Sequence, residues 1–156
     1  NYMYTGEKVG DHITNTMPTK EAAKWFGTAP PDLTLEARLR SPDWIYTYLR
    51  SFYMDSKRPF GVNNTVFKDV GMPHVLQDLQ GVSSIDEHGN LSPAMGGSLS
   101  PEEYDVVVRD LTNFLEYVGE PSKLERKSMG IKVLIFLFIF FIVAYFLKKE
   151  YWKDVH

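Results

Sequence analysis

Cysteine is absent from this 156-residue sequence. Its absence excludes disulfide bonds, zinc sites built on thiolates and a cysteine nucleophile within these residues. Histidine is scarce, and a metal site would have to gather three of the four side chains from distant loops. The four are His12, His74, His88 and His156. We therefore expect no metal site built from clustered histidines.

Motifs of hydrolases and nucleotide-binding proteins are missing as well. There is no Gly-x-Ser-x-Gly elbow, no His-Glu-x-x-His and no glycine-rich phosphate loop after a strand. The first 120 residues carry ten Lys or Arg against seventeen Asp or Glu, a net charge of minus seven. Such a surface repels nucleic acid and attracts a cationic partner, although a merely solubilising surface explains the charge equally well. We expect no catalytic site in these residues alone and no nucleic-acid partner.

A long apolar run near the C-terminus is the strongest feature that is present. Fifteen apolar residues extend from Val133 to Leu147, and counting from Met129, with Lys132 able to snorkel, gives nineteen, about 28 Å as a helix. A buried core helix would normally show a polar stripe, and this run has none. The run predicts a transmembrane helix over 131–147, after a charged linker at 121–130 and before a basic, aromatic tail at 148–156.

The charges beside this helix do not determine its orientation, because four cations on one flank face three on the other. The opening residues, "NYMYTGEKVGDHI", have no apolar core of the kind that a signal peptide needs. We expect either that export information was removed or that the sequence starts inside a longer protein.

Two helices are predicted in the first half of the chain. The stretch "PTKEAAKWFG" indicates a short helix with Thr19 as its cap and Gly27 as its stop. The stretch "SPDWIYTYLRSFY" predicts a helix over 42–53, with Ser41 as cap and Pro42 at the first helical position. Its apolar residues recur on one face; they are Trp44, Ile45, Tyr48, Leu49 and Phe52.

A longer helix is predicted from "LSPEEYDVVVRDLTNFLEYVGE". Ser100 and Glu103 match a capping box, Pro101 takes the first helical position, and Gly119 and Pro121 end the helix. We expect one face to pack on the core, formed by Tyr104, Val107, Val108, Leu111, Leu115 and Val118.

Residues 54–98 are rich in glycine and proline and are predicted to be mostly loop. A loop of that length is unusual unless it serves a function. Within it, Pro73 stiffens the backbone that presents Met72. This arrangement suits a ligand, but it also suits an ordinary turn, because methionine is a common filler of core gaps. In the same way Arg38 and Arg40 suit solvated helix charges, and Pro30-Pro31 suits a rigid bend.

Several stretches, taken in order, resemble one protein family. They are "AAKWFGTAPPDLTLEARLRSPDWIYTYLRSFY", "RPFGVNNTVFKDVGMPHVLQDLQG" and "AYFLKKEYWKDVH". Together they look like cytochrome c1, the haem-bearing subunit of the ubiquinol:cytochrome c oxidoreductase (cytochrome bc1) complex, in its proteobacterial form. The resemblance covers almost the whole chain.

The resemblance implies a set of cofactor-binding residues. In that family haem c is held by a Cys-x-x-Cys-His, whose histidine is one axial ligand, and a distant methionine is the other. By position this methionine is Met72, the only metal ligand that the resemblance assigns here. It also implies Arg38 at a haem propionate, and Pro30 and Pro31 with Trp44 against the haem ring.

Two features bear on this assignment. The sequence has no Cys-x-x-Cys-His, which in the family lies N-terminal to the point where residue 1 begins, and residues 82–98 are short for the family. Met17 and Met95 compete with Met72 for the ligand role. We prefer Met72 because the surrounding "FKDVGMPHVLQDLQG" carries the family pattern.

The expected fold is a mainly helical c-type cytochrome domain with long loops, at 1–120, followed by one C-terminal transmembrane helix. The resemblance implies an electron-transfer subunit that passes electrons from the Rieske iron–sulfur protein through haem c to a soluble cytochrome c. It also implies a cytochrome b partner, membrane lipid, a dimeric complex and an inner-membrane location, with the soluble domain periplasmic and the C-terminus cytoplasmic.

Two other classes of function stay open. One is a membrane-anchored structural or assembly subunit of a respiratory complex with no haem of its own, which the absence of cysteine favours. The other is a generic single-pass binding domain, which explains the hydropathy but leaves the order of the motifs as coincidence.

Overall fold

A computed structural model describes residues 16–153. The helices are α1 (Thr19–Phe26), α2 (Glu36–Arg40), α3 (Pro42–Leu49), α4 (Gln77–Gln80), α5 (Pro101–Gly119) and α6 (Lys123–Tyr151). The strands are β1 (Phe52–Met54), β2 (Val62–Asn64), β3 (Gly81–Val82) and β4 (Met95–Gly96). Strand β1 pairs antiparallel with β2, and β3 pairs antiparallel with β4. The predicted fold class is confirmed: the chain is mainly helical, with long loops and one long apolar C-terminal helix.

The chain divides into a first unit, 1–32, and a second unit, 33–156. The first unit contains α1, which ends at Gly27 in the left-handed conformation, as predicted. The prediction that Thr19 caps this helix is wrong. Thr19 is already helical, Pro18 occupies the cap position, and no side chain caps the helix there.

In the second unit, α3 begins as predicted and ends early. The Ser41 hydroxyl accepts a hydrogen bond from the Trp44 amide at 3.3 Å, and Pro42 takes the first helical position. The helix ends at Leu49 rather than near residue 53. Phe52 lies instead in β1, paired with Asn64 of β2, and this strand geometry buries its ring in the core.

Helix α5 matches its prediction closely. The Ser100 hydroxyl accepts a hydrogen bond from the Glu103 amide at 3.2 Å, and the Glu103 carboxylate accepts one from the Ser100 amide at 2.9 Å. Tyr104 and Val108 are buried on the predicted face. They belong to the core cluster, whose other members are Ala37, Ile45, Tyr48, Leu49, Phe52, Val62 and Val70.

The segment from 54 to 98 is mostly loop, as predicted, but it also contains three short strands and α4. The backbones of β3 and β4 approach so closely that a Cβ on Gly81 would lie 2.4 Å from the Met95 carbonyl oxygen. Glycine is therefore required at this pairing.

Helix α6 is long and apolar enough to cross a membrane, and its apolar side chains are exposed. It starts at Lys123, so most of the predicted linker is helical and only residues 120–122 separate it from α5. Two ion pairs span this junction, one between Lys123 and Glu116 and one between Arg126 and Glu120.

Candidate functional site

Met72 lies in the loop between β2 and α4, half-buried against the core cluster. Its sulfur accepts a hydrogen bond from the Tyr48 hydroxyl, with Oη and Sδ 3.2 Å apart. The predicted ligand therefore sits beside the aromatic face of α3, 24 residues away in sequence.

An aromatic wall, formed by Trp44, Tyr48 and Phe67, stands next to this sulfur. The rings of Trp44 and Tyr48 stack with centroids 4.8 Å apart and planes 12° from parallel, as their i, i+4 spacing on α3 allows. Phe67 meets Trp44 edge-on at 6.4 Å. The predicted residues Trp44 and Met72 are thus brought together through Tyr48.

Arg40 is the cation at this wall. Its guanidinium carbon lies 4.6 Å from the Trp44 ring centroid and 5.2 Å from that of Phe67, while its Nε donates to Glu36 at 2.9 Å. The sequence suggests only a solvated charge at Arg40. Arg40 ends α2 and Trp44 lies in α3, with the non-helical Ser41 between the two helices, so no helical spacing in the sequence indicates this contact.

Arg38 packs against a different part of the structure. A Cβ placed on Gly119 would lie 3.3 Å from the Arg38 Cγ, so this side chain runs along the end of α5. The charge of Arg38 also helps to lower the pKa of Glu120, although the hydrogen bond from Arg126 is the main cause. The role of Arg38 at a propionate stays a prediction.

The other predicted contacts lie elsewhere in the chain. Pro30 and Pro31 are exposed in the extended segment after α1, within the first unit, and their role against a haem ring stays a prediction. Of the two rival methionines, Met95 is 77% exposed in β4 and Met17 is 39% exposed. Among these three methionines, only Met72 packs against the core cluster.

The loop that carries Met72 is held by two side chains from earlier in the chain, Arg58 before β2 and Asn63 within it. Arg58 donates from Nη2 to the carbonyls of Asp69 and Val70, and the Asn63 side-chain oxygen accepts from the Asp69 amide at 2.9 Å. Val70 itself is buried. The backbone that precedes Met72 is therefore fixed by hydrogen bonds as well as by Pro73.

His74 faces the core. Its ring stacks on Phe52 at 4.7 Å, and its Nε2 is buried without a hydrogen-bond partner among the described residues. Burial lowers the pKa of His74, and Gln80 opposes this shift only in part. Within residues 16–153 no three metal-ligating side chains cluster. His12 and His156 lie outside the described residues.

Comparison with known proteins decides the family. The model of the cytochrome C1 family matches residues 3–155. The chain belongs to the cytochrome c1 family.

Two relatives match this cytochrome c1 family member over nearly its whole length. Cytochrome c1 of Allochromatium vinosum is 56% identical over 167 residues, which cover 100% of this chain and 68% of the relative. The ammonia monooxygenase gamma subunit of Nitrosomonas europaea is 48% identical over 155 residues, 99% of this chain and 66% of the relative. A more distant relative, cytochrome c1 of Rhodospirillum rubrum, is 28% identical over 158 residues. The chain therefore spans about two thirds of the length of the first two relatives.

Proposed function

We propose that this chain is the electron-transfer subunit of a cytochrome bc1 complex, passing electrons from the Rieske iron–sulfur protein through haem c to a soluble cytochrome c. The observation that carries the proposal is the half-buried Met72 thioether beside an aromatic wall, in a member of the cytochrome c1 family. The exposed apolar helix α6 supports a membrane location.

The residues at this site fit a haem. Tyr48 uses one lone pair of the Met72 sulfur, so the second remains free to coordinate iron. The aromatic wall offers an apolar surface for the macrocycle, and the Arg40 guanidinium, at 4.6 Å from the Trp44 ring, suits a propionate. When bound, the haem supplies the one-electron couple, while the side chains provide ligation and exclude water.

Covalent attachment has to come from residues outside this sequence, because it contains no cysteine. About a third of the A. vinosum relative has no counterpart in this chain. We propose that a Cys-x-x-Cys-His is supplied by a corresponding segment, either in the same polypeptide or in a second one.

The remaining parts of the proposal concern partners and location. Helix α6 would lie against cytochrome b and membrane lipid, in a dimeric complex of the inner membrane. The acidic first 120 residues would face the periplasm, where they attract a basic cytochrome c, and the basic tail would face the cytoplasm.

The first test is a haem-stained denaturing gel of the purified native assembly, with the intact mass of each stained band. A stained band heavier than 18.0 kDa that contains these residues is expected. Staining only of bands that lack this sequence would contradict covalent haem on the same polypeptide.

The second test examines the ligand. Met72→Leu is expected to abolish the low-spin, methionine-ligated spectrum of haem c, because leucine fills the space without offering a lone pair. Met95→Leu is the matched control, since Met95 is 77% exposed, and it should leave the spectrum unchanged. An unaltered spectrum in Met72→Leu would remove Met72 from the site.

A second candidate function is a membrane-anchored structural or assembly subunit without haem. It is favoured by the absence of cysteine and by the 48% identity to a protein named as a gamma subunit of ammonia monooxygenase. The two candidates differ in one measurement: native assemblies that contain this chain but no haem c absorbance would support the second.

A further inference from the structure

We propose that Tyr48 is a positioning residue for Met72, whose hydroxyl fixes the thioether and weakens its donation to ferric iron, so that the potential of the haem is raised. This inference rests on the proposed function of Met72 as an axial ligand. Its basis is the hydrogen bond that joins the Tyr48 hydroxyl to the Met72 sulfur at 3.2 Å.

The phenol of Tyr48 is held firmly in place. The face of its ring stacks on Trp44 with centroids 4.8 Å apart, and the Phe52 ring packs against it at 5.2 Å with planes 71° apart. Its own carbonyl accepts a hydrogen bond from the Asn64 side-chain amide at 2.8 Å. With both ring and backbone fixed and only 9% of the residue exposed, the hydroxyl has little freedom to turn away from the sulfur.

The sulfur is presented by a separate and equally constrained segment. The Arg58 guanidinium holds the carbonyls of Asp69 and Val70, three and two residues before Met72, and Pro73 limits the backbone after it. Helix α3 and this loop are thus fixed by different contacts. Their meeting at the Tyr48 hydroxyl is a feature of the folded domain rather than of local sequence.

The chemistry of the pair gives the direction of the effect. A phenol donates one hydrogen and a thioether sulfur is a weak acceptor, so the contact draws electron density from the sulfur. Ferric iron needs that density more than ferrous iron does, so the ferric state loses more stabilisation and the potential rises.

Tyr104 provides a matched control. It is also a buried tyrosine of the same core, and burial raises its pKa to about 12, but its hydroxyl donates to the Leu49 carbonyl at 2.9 Å. Removing the Tyr104 hydroxyl therefore disturbs the core without touching the Met72 sulfur. A change of potential specific to Tyr48 separates an electronic role from general destabilisation.

The experiment is a potentiometric titration of haem c in the native assembly carrying Tyr48→Phe, Tyr104→Phe or Met72→Leu. Tyr48→Phe is expected to lower the reduction potential of the haem. At a fixed applied potential the ferrous-to-ferric ratio should fall at least about twofold, which corresponds to ~18 mV at 59 mV per tenfold change. Tyr104→Phe should leave it unchanged. Both variants should keep the sulfur-to-iron charge-transfer band, and Met72→Leu should lose it.

The outcomes distinguish the inference from the proposed function. If Met72→Leu loses the band while Tyr48→Phe keeps the wild-type potential, Met72 is the ligand and the role of Tyr48 is overturned. If Met72→Leu keeps the band, the ligand assignment falls and the inference falls with it. Should Tyr48→Phe fail to assemble, 3-fluorotyrosine at position 48, a stronger donor, is expected to raise the potential. An unchanged potential there would also overturn the inference.

Discussion

Tyr104 of α5 donates its hydroxyl hydrogen to the main-chain carbonyl of Leu49, the last residue of α3, at 2.9 Å. The contact lies in the core, where both residues are buried. It gives a hydrogen-bond partner to one of the carbonyls that a helix leaves unpaired at its C-terminal end.

Tyr104→Phe should lower the free energy of unfolding by about 1–2 kcal/mol, because the buried Leu49 carbonyl loses its partner. The measurement is urea unfolding of the full chain in detergent. Tyr117→Phe, on the same helix but 62% exposed, is the control and should change little. Equal effects of the two substitutions would show that this hydrogen bond contributes nothing.

Asn64 joins β2 to the aromatic side of the site, and its replacement should lower the free energy of unfolding more than Tyr104→Phe does. Its amide donates to the Tyr48 carbonyl at 2.8 Å, and its oxygen accepts from the amides of Val66 and Phe67 at 2.9 and 3.1 Å. Asn64→Ala is expected to cost about 3 kcal/mol in the same unfolding assay, since the buried Tyr48 carbonyl and the amides of Val66 and Phe67 lose their partners. Asn113→Ala, at an exposed position of α5, should have almost no effect. A loss below about 1 kcal/mol for Asn64→Ala would argue against this role.

His74 should make stability depend on pH. Burial lowers its pKa in the folded chain below the ordinary value of 6.5, so the unfolded chain binds the proton more readily. The contribution is therefore fully present above pH 6.5 and is lost as the pH falls from there through the folded pKa. The urea midpoint of the full chain should drop between pH 7.5 and 5.5.

The matched variants for this prediction are His74→Phe and His88→Gln. Phenylalanine keeps the stack on Phe52 but cannot titrate, so the pH dependence should flatten. His88 is exposed, and His88→Gln should retain the full dependence. If His74→Phe and wild type follow the same curve, another group is responsible for it.

Ionic strength should weaken docking of a basic soluble cytochrome c. The acidic first 120 residues would attract such a partner over distances that salt shortens, since the Debye length falls from about 30 Å at 0.01 M to 10 Å at 0.1 M. We expect the association rate constant to fall by about tenfold or more over this range. Reduction of a small uncharged acceptor serves as the control. A rate constant that does not change with salt would remove the charge argument.

Elements with local signals were predictable from sequence, and those that depend on distant partners were not. The caps at Ser41 and Ser100 involve residues only three apart, so the local sequence is enough to predict where these helices begin. The end of α3 depends on pairing between Phe52 and Asn64, twelve residues apart, which no local pattern reveals. Strands β3 and β4, of two residues each, are too short to show a period.

In the candidate site too, some residues were predictable from the sequence and others depend on distant contacts. The proline after Met72 and the family pattern of the surrounding sequence indicate Met72, and the same family pattern indicates Trp44. Tyr48 was recognised only as part of an apolar helix face, because its bond to Met72 spans 24 residues. Arg40 reaches Trp44 across the break between α2 and α3 at Ser41, which no local pattern reveals, and Arg38 is assigned on resemblance alone.

The junction between α5 and α6 is so short that its number of residues determines how α6 is rotated about its own axis. Residues 120–122 extend at most about 11 Å, and ion pairs from Lys123 to Glu116 and from Arg126 to Glu120 bridge them, so rotation of the helix is coupled to the domain. Each residue of an α-helix turns the chain by about 100°. A single insertion near the start of α6 would therefore rotate every side chain that follows it by about 100° relative to the domain, more than a quarter turn. The number of residues at this junction therefore sets the rotation of α6 relative to the domain more than the distance between them.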